Sequence, residues 1–312
     1  LRNVQLPKTV LDLLSNALKS THFKSIKLED NQFGRDGIQF ALNYLEDNKK
    51  LEELRLISNQ IDNDDDVNQL CEIIRDHPTI KTIELDSTFG EGINGHDVLC
   101  SVITAGANKL RHIDLCSNEI LTGGSTFIAD FLATNPILEK LVLENNQLDD
   151  EDAKWIGKAL KHNTNLRLLS IINNSVTASG WSALSKAEFD PTSLNSAADS
   201  NHKCMIIYES DMEINGDPES ECYFEPKAVR QKKIYSVLSS RNRECSNVQH
   251  FGDVPVEFLP DMLTSIQQYS EYHLGDKPPP KRNDGAKALS VMYEILRKWD
   301  KTLSVYESLS SF

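Results

Sequence analysis

The chain has 312 residues, of which 39% are hydrophobic and 26% are charged. These proportions exclude a disordered or collagen-like chain, and the length suits two ordinary domains or one array of repeats. The formal net charge is −14, a sign that repels phosphate backbones and therefore disfavours nucleic-acid binding. No apolar run approaches the roughly 20 residues that a membrane-spanning helix requires, so no membrane span is expected.

The six cysteines show no Cys-x-x-Cys spacing of the kind that indicates a zinc or redox site. They favour reduced thiols and an intracellular, cytoplasmic location. Because the sequence begins at Leu1 rather than Met, a targeting segment could precede it.

An internal repeat dominates the first two thirds of the chain. Its pattern is Leu-x-x-Leu-x-Leu-x-x-Asn-x-Leu, with other aliphatic residues or Phe also found at the Leu positions. The six copies begin at Phe23, Leu51, Ile80, Leu110, Leu138 and Leu166, at intervals of 28 to 30 residues. Thr88 replaces the Asn in the third copy, and residues 1–6 offer a partial earlier copy.

Each copy predicts a strand followed by a helix. The Leu-x-Leu core alternates with period two, which is typical of a strand with one buried face. The Asn amide can donate and accept hydrogen bonds where the strand turns away. After it the apolar spacing becomes helical, as at Ile38, Leu42 and Leu45. Such units bury their apolar faces only by stacking, so the sequence predicts an α/β solenoid with parallel strands inside and helices outside.

These motifs resemble the leucine-rich repeat proteins, specifically the ribonuclease-inhibitor subtype, whose repeats are about 28 residues long. The resemblance covers roughly residues 1–210. It implies a horseshoe that binds another protein through its concave strand face and the adjoining turns. It implies no catalysis. We also predict no cofactor.

The repeat rhythm breaks at residues 189–191, and Met205 to Tyr208 predict a last edge strand. We therefore predict a solenoid domain with a terminal cap over 1–210 and a helical C-terminal extension over 211–312. Three helical patterns cover 226–241, 255–272 and 285–308. The last has an apolar seam that either packs within this protein or binds a partner helix. The stretches 199–204 and 232–242 are similar to tails of leucine-rich repeat families from stramenopile algae, which supply no biochemical role.

Alternation within the strands predicts which side chains face the concave surface. They mix both charges with isolated apolar residues, a composition closer to a protein-binding surface than to a nucleic-acid groove. For any single position, a solvated side chain without a partner is the alternative. The candidate partner-binding residues are Lys27, Arg55, Ile57, Glu84, Arg111, His112, Asp114, Val142, Glu144 and Ile172.

Carboxylates cluster after two of the strands and predict an acidic rim. Helix N-termini stabilise such carboxylates, and the rim could also steer a basic or mixed-charge partner. The spacing fits no EF-hand, so no metal site is predicted. The rim residues are Asp62, Asp64, Asp65, Asp66, Asp149, Asp150 and Asp152.

The enzymatic alternative is GTPase activation, because Ran GTPase-activating proteins use repeats of this subtype. Such catalysis needs a cation supplied to the nucleotide phosphates. Arg35 is the only cationic residue between the Asn and the helix in the six copies, although it also fits the ordinary turn consensus of the subtype. We predict a non-enzymatic protein-binding scaffold or assembly subunit, with activation through Arg35 as the alternative.

Overall fold

The computed structural model describes residues 2, 7–18, 21–29, 34–90 and 92–207, together with 229–230, 233–234, 237, 258 and 260–264. Two compact units make up the chain: Leu1–Glu188 with Lys203–Tyr223, and Phe189–His202 with Phe224–Phe312. Within the predicted helices 226–241 and 255–272, residues 229–230, 233–234, 237 and 260–264 are helical. The predicted helix 285–308 lies outside the described residues.

Strands and helices alternate along the first unit. Its strands are β1 (Ser25–Glu29), β2 (Glu53–Ile57), β3 (Thr82–Glu84), β4 (His112–Asp114), β5 (Lys140–Val142), β6 (Leu168–Ser170) and β7 (Met205–Ile207). Its helices are α1 (Lys8–Leu18), α2 (Gly34–Asp47), α3 (Asp64–Asp76), α4 (Gly95–Gly106), α5 (Phe127–Ala133), α6 (Asp150–Leu160) and α7 (Ala178–Glu188). Helix α8 (Leu194–Ala198) belongs to the second unit.

The strands form one seven-stranded sheet in chain order, and every neighbouring pair is parallel. The register keeps equivalent repeat positions side by side: Leu54 pairs with Ile83, and Ile113 pairs with Leu141. The predicted strand–helix alternation in an open parallel sheet is confirmed, including the last strand, and it is compatible with a solenoid-like array. Helices α1 and α8 were not predicted, because they fall outside the six repeat copies.

The core lies between the sheet and the helices that follow its strands. In the second copy, Leu54 and Leu56 of β2 meet Leu70 and Ile74 of α3, and all four are fully shielded from solvent. Burying each such side chain contributes about 1.5–3 kcal/mol relative to leaving it exposed. The Leu positions of the repeat therefore hold each strand to its helix.

Asparagines at the strand ends connect consecutive repeats. The Nδ2 of Asn118 donates to the Leu85 carbonyl at 2.7 Å, and its Oδ1 accepts from the Thr88 backbone N–H at 3.0 Å. Asn146 in turn accepts from the backbone N–H of Asn118 at 3.0 Å. Thr88, which has no amide, donates its hydroxyl to the Leu56 carbonyl. Each repeat thus satisfies backbone groups of the one before it.

Candidate functional site

The candidate surface is the face of the sheet opposite the helices, here called the distal face. Its strands β1 to β4 carry charged side chains in adjacent positions. The Arg55 guanidinium lies 3.3 Å from a Glu84 carboxylate oxygen on the next strand and 3.3 Å from Glu53. Lys27 lies 3.1 Å from Glu29. We call this part the open segment; its predicted residues are Lys27, Arg55, Ile57, Glu84, His112 and Asp114, all of them exposed or half-buried.

Two carboxylates meet at the centre of the open segment. Glu84 and Asp114 are register partners on β3 and β4. Burial raises the pKa of Glu84, the Arg55 guanidinium opposes that rise, and the charge of Asp114 adds to it. Asp114 is oriented by the Cys116 backbone N–H, which donates to it at 3.0 Å. The open segment therefore offers ordered groups of both signs for ionic and hydrogen-bonded contacts.

Arg111 was expected on this face and lies at the edge where the strands begin. It pairs there with Glu139, and Arg167 lies 3.8 Å from the same carboxylate.

Glu52 occupies the equivalent edge position in the second copy. Hydrogen bonds from Lys81 and Lys24 lower the pKa of Glu52 to about 2. The edge is a row of ion pairs between exposed or half-buried side chains at the starts of β1 to β6.

The distal face changes character toward β5–β7. Val142 is 6% exposed and Ile172 is 1% exposed, so the expectation that they present apolar contacts to a partner is wrong. The pattern placed them on the correct face, but apolar neighbours in adjacent positions pack together and exclude water. We call this cluster the closed segment; its residues are Cys116, Val142, Leu168, Ile172 and Ile207, with Trp181 and Met205 packed against them.

Glu144 lies at the border between the two segments. It is half-buried and accepts a hydrogen bond of 2.6 Å from the hydroxyl of Ser170, which is itself buried. Cys116 is buried as well, and burial followed by the Asp114 charge raises the pKa of its thiol. The protonated thiol is a poor nucleophile, so this position offers no reactive group.

The acidic rim consists partly of buried carboxylates. Asp66 is 2% exposed, accepts 2.8 Å hydrogen bonds from Gln39 and Asn63, and lies in the first turn of α3. Asp152 is 5% exposed and completes a capping box with Asp149 at the start of α6. The expectation that these two side chains belong to a partner-facing rim is wrong, because both are buried and accept hydrogen bonds at the starts of their helices.

Asp150 also has a structural role. It accepts hydrogen bonds from the Thr177 backbone N–H and hydroxyl, both at 2.7 Å, and from the Gly180 backbone N–H at 3.1 Å. The Thr177 hydrogen bonds lower its pKa. The exposed remainder of the rim is Asp62, Asp64, Asp65 and Asp149. Over the described part of the chain, no group of three or more His, Cys, Asp or Glu side chains is placed to hold a metal ion.

Arg35 lies in the first turn of α2. Its side chain is 68% exposed, and its Nε is 3.7 Å from Asp66. The guanidinium is accessible to solvent at the rim, while Asp66 offsets part of its charge.

A groove on the helix side was not predicted. It lies between α3 and α4 and has a volume of about 420 Å³. Burial raises the pKa of Cys71 to about 11, so its thiol is protonated at neutral pH. The lining residues are Asn68, Cys71, Glu72, Arg75, Cys100, Ser101 and Thr104. Because they come from the helices of two separate repeats, no single motif of the sequence indicates them.

Comparison with protein-family models and with curated proteins finds no match for this chain. None of the helices among the described residues combines the length and the apolar character needed to cross a membrane.

Proposed function

We propose that this protein is a leucine-rich repeat horseshoe of the ribonuclease-inhibitor type that acts as a non-enzymatic scaffold or assembly subunit. The repeat period and the parallel sheet in chain order support the family assignment. Asparagines that connect one repeat to the next support it further. The open segment binds another protein.

The observation that carries the binding proposal is the contrast within the distal face. Strands β1 to β4 present ordered, accessible charges, whereas the apolar positions further along are buried. A partner therefore docks on the first four strands. Because Arg55, Glu84 and Asp114 lie next to one another there, the partner that fits has both acidic and basic groups.

The test begins with affinity capture from the native source, followed by binding measurements with the purified partner. Replacing Arg55 with alanine removes a half-buried cation from the centre of the open segment, and we expect affinity to fall about tenfold, the effect of losing one strong contact. Lys186→Ala, an exposed cation on α7, is the matched control and should leave affinity unchanged. Equal affinities of Arg55→Ala and wild type would reject the open segment as the binding site.

The exposure of Arg35 at the rim favours one second candidate, GTPase activation. Single-turnover hydrolysis by small GTPases distinguishes it from scaffolding. We expect no stimulation by the wild-type protein. Stimulation that disappears in Arg35→Ala would replace the scaffold proposal with an enzymatic one.

A further inference from the structure

His77 follows the last residue of α3 and is fully buried, with 0% of its surface exposed. Its Nδ1 accepts hydrogen bonds from the backbone N–H groups of Thr79 at 3.3 Å and Ile80 at 3.1 Å. Its Nε2 lies 2.9 Å from the carbonyl oxygen of Asn48. A backbone N–H can only donate, so Nδ1 must be unprotonated and Nε2 must carry the hydrogen. These hydrogen bonds are compatible only with a neutral ring that carries its hydrogen on Nε2.

An asparagine makes the same set of contacts three repeats later. The Oδ1 of Asn163 accepts from the backbone N–H groups two and three residues on, Asn165 at 3.0 Å and Leu166 at 2.8 Å. Its Nδ2 donates to the Leu132 carbonyl of the preceding repeat at 2.9 Å. His77 therefore makes the hydrogen bonds that an asparagine amide makes in the other repeat, but its imidazole can be protonated.

The surroundings of His77 oppose protonation. Burial lowers its pKa, and the charges of Lys49 and Lys109 act in the same direction, while the hydrogen bond to Asn48 opposes them. Lys109 comes from the turn after α4 and donates to the His77 carbonyl at 3.0 Å. Asp76, the preceding residue, is exposed to solvent.

We propose that His77 is an acid-sensitive link between the turns that precede β2 and β3. Protonation of Nδ1 replaces the acceptor of two backbone N–H groups with a donor and places a cation between two lysines. The unfolded histidine titrates near 6.5 and the folded one below that value, so between the two the unfolded chain binds more protons. The link is intact above about pH 6.5, and it loses stability as the pH falls below that value.

The link joins the strands that carry Arg55 and Glu84. Loosening it at low pH disturbs the centre of the open segment and weakens partner binding. This last consequence rests on the proposed function, whereas the acid response of the fold does not.

Unfolding of the full chain by urea from pH 8 to pH 5 tests the proposal. The variant His77→Asn restores the amide of the repeat. We expect the folded-to-unfolded ratio of the wild type to fall relative to this variant, by up to about tenfold per pH unit below 6.5. His162→Asn, which removes an exposed histidine, is the control and should follow the wild type. His202, whose pKa burial also lowers, is present in all three proteins and does not affect the comparison.

Equal pH dependence of wild type and His77→Asn would overturn the proposal. Imidazole nitrogen NMR on the wild-type protein provides a second measurement that remains available if the variant fails to fold. It should show the Nε2–H tautomer of His77 and a pKa below 6.5. An Nδ1–H tautomer, or titration at 6.5 or above, would also contradict the link.

Discussion

The two ends of the distal face are built by the same repeat and have opposite properties. Ile57 and Ile172 occupy the same position of their copies, at the end of β2 and just after β6. Ile57 is half-buried beside charged residues, whereas Ile172 is 1% exposed within the closed segment. The repeat determines the direction of a side chain, and the neighbouring positions determine whether water reaches it.

Shortening these two isoleucines should give the greatest difference in stability. Ile172→Ala should lower the free energy of unfolding by about 2–4 kcal/mol, because it opens a cavity in a packed apolar cluster. Ile57→Ala should cost less than about 1 kcal/mol, because its position is already partly hydrated. Urea unfolding of both variants measures the difference. Similar losses in the two would remove the distinction between open and closed segments.

The two acidic clusters permit a second comparison. Asp152 belongs to a capping box and accepts a 2.7 Å hydrogen bond from Thr122, so Asp152→Ala should cost about 1–2 kcal/mol. Asp65 is exposed in the first turn of α3, and Asp65→Ala should cost less than about 1 kcal/mol. Thermal unfolding measures both. A larger loss for Asp65→Ala would show that the exposed carboxylates, rather than the buried ones, stabilise the helix starts.

The smallest effect concerns the pH dependence of two glutamates. Burial raises the pKa of Glu84 above its unfolded value, so the folded state takes up the proton first and gains stability as the pH falls toward 4.5. Glu84→Gln should lack this gain and change stability at pH 7 by less than about 1 kcal/mol. Glu52, whose pKa is lowered, contributes stability above 4.5 that is lost toward pH 2. Urea unfolding should show that Glu84→Gln alters the dependence of stability on pH between pH 7 and pH 4.5, and that Glu52→Gln alters it in the opposite sense between pH 4.5 and pH 2. Changes of the same sign in the two variants would contradict the two assignments.

Much of the fold could be predicted because the same strand and helix patterns recur in each copy of the repeat. The Leu-x-Leu cores predicted β1 to β6, and the apolar residues Met205 to Ile207 predicted the last strand. Helix α1 could not be found in this way. It packs through Leu11 without belonging to a complete copy of the pattern.

The candidate site was predicted only in part. The alternation of residues along one strand predicts which face a side chain lies on, but the burial of that side chain depends on several neighbouring strands. Arg55 and Glu84 were placed correctly on the distal face, and their ion pair follows from the parallel register. Val142 and Ile172 were placed on the same face, but their burial depends on apolar neighbours contributed by other strands. No sequence pattern indicated the role of His77, because a histidine there replaces the amide side chain found in other copies.

Hydroxyl-radical footprinting of the full chain measures the difference between the open and closed segments residue by residue. It compares residues at equivalent repeat positions: Ile57 with Ile172, and His112 with Leu168. We predict that Ile57 and His112 are oxidised while Ile172 and Leu168 are protected, and that bound partner protects the first pair. Rapid oxidation of Ile172 and Leu168 in the native protein would contradict the division of the distal face into an open and a closed segment.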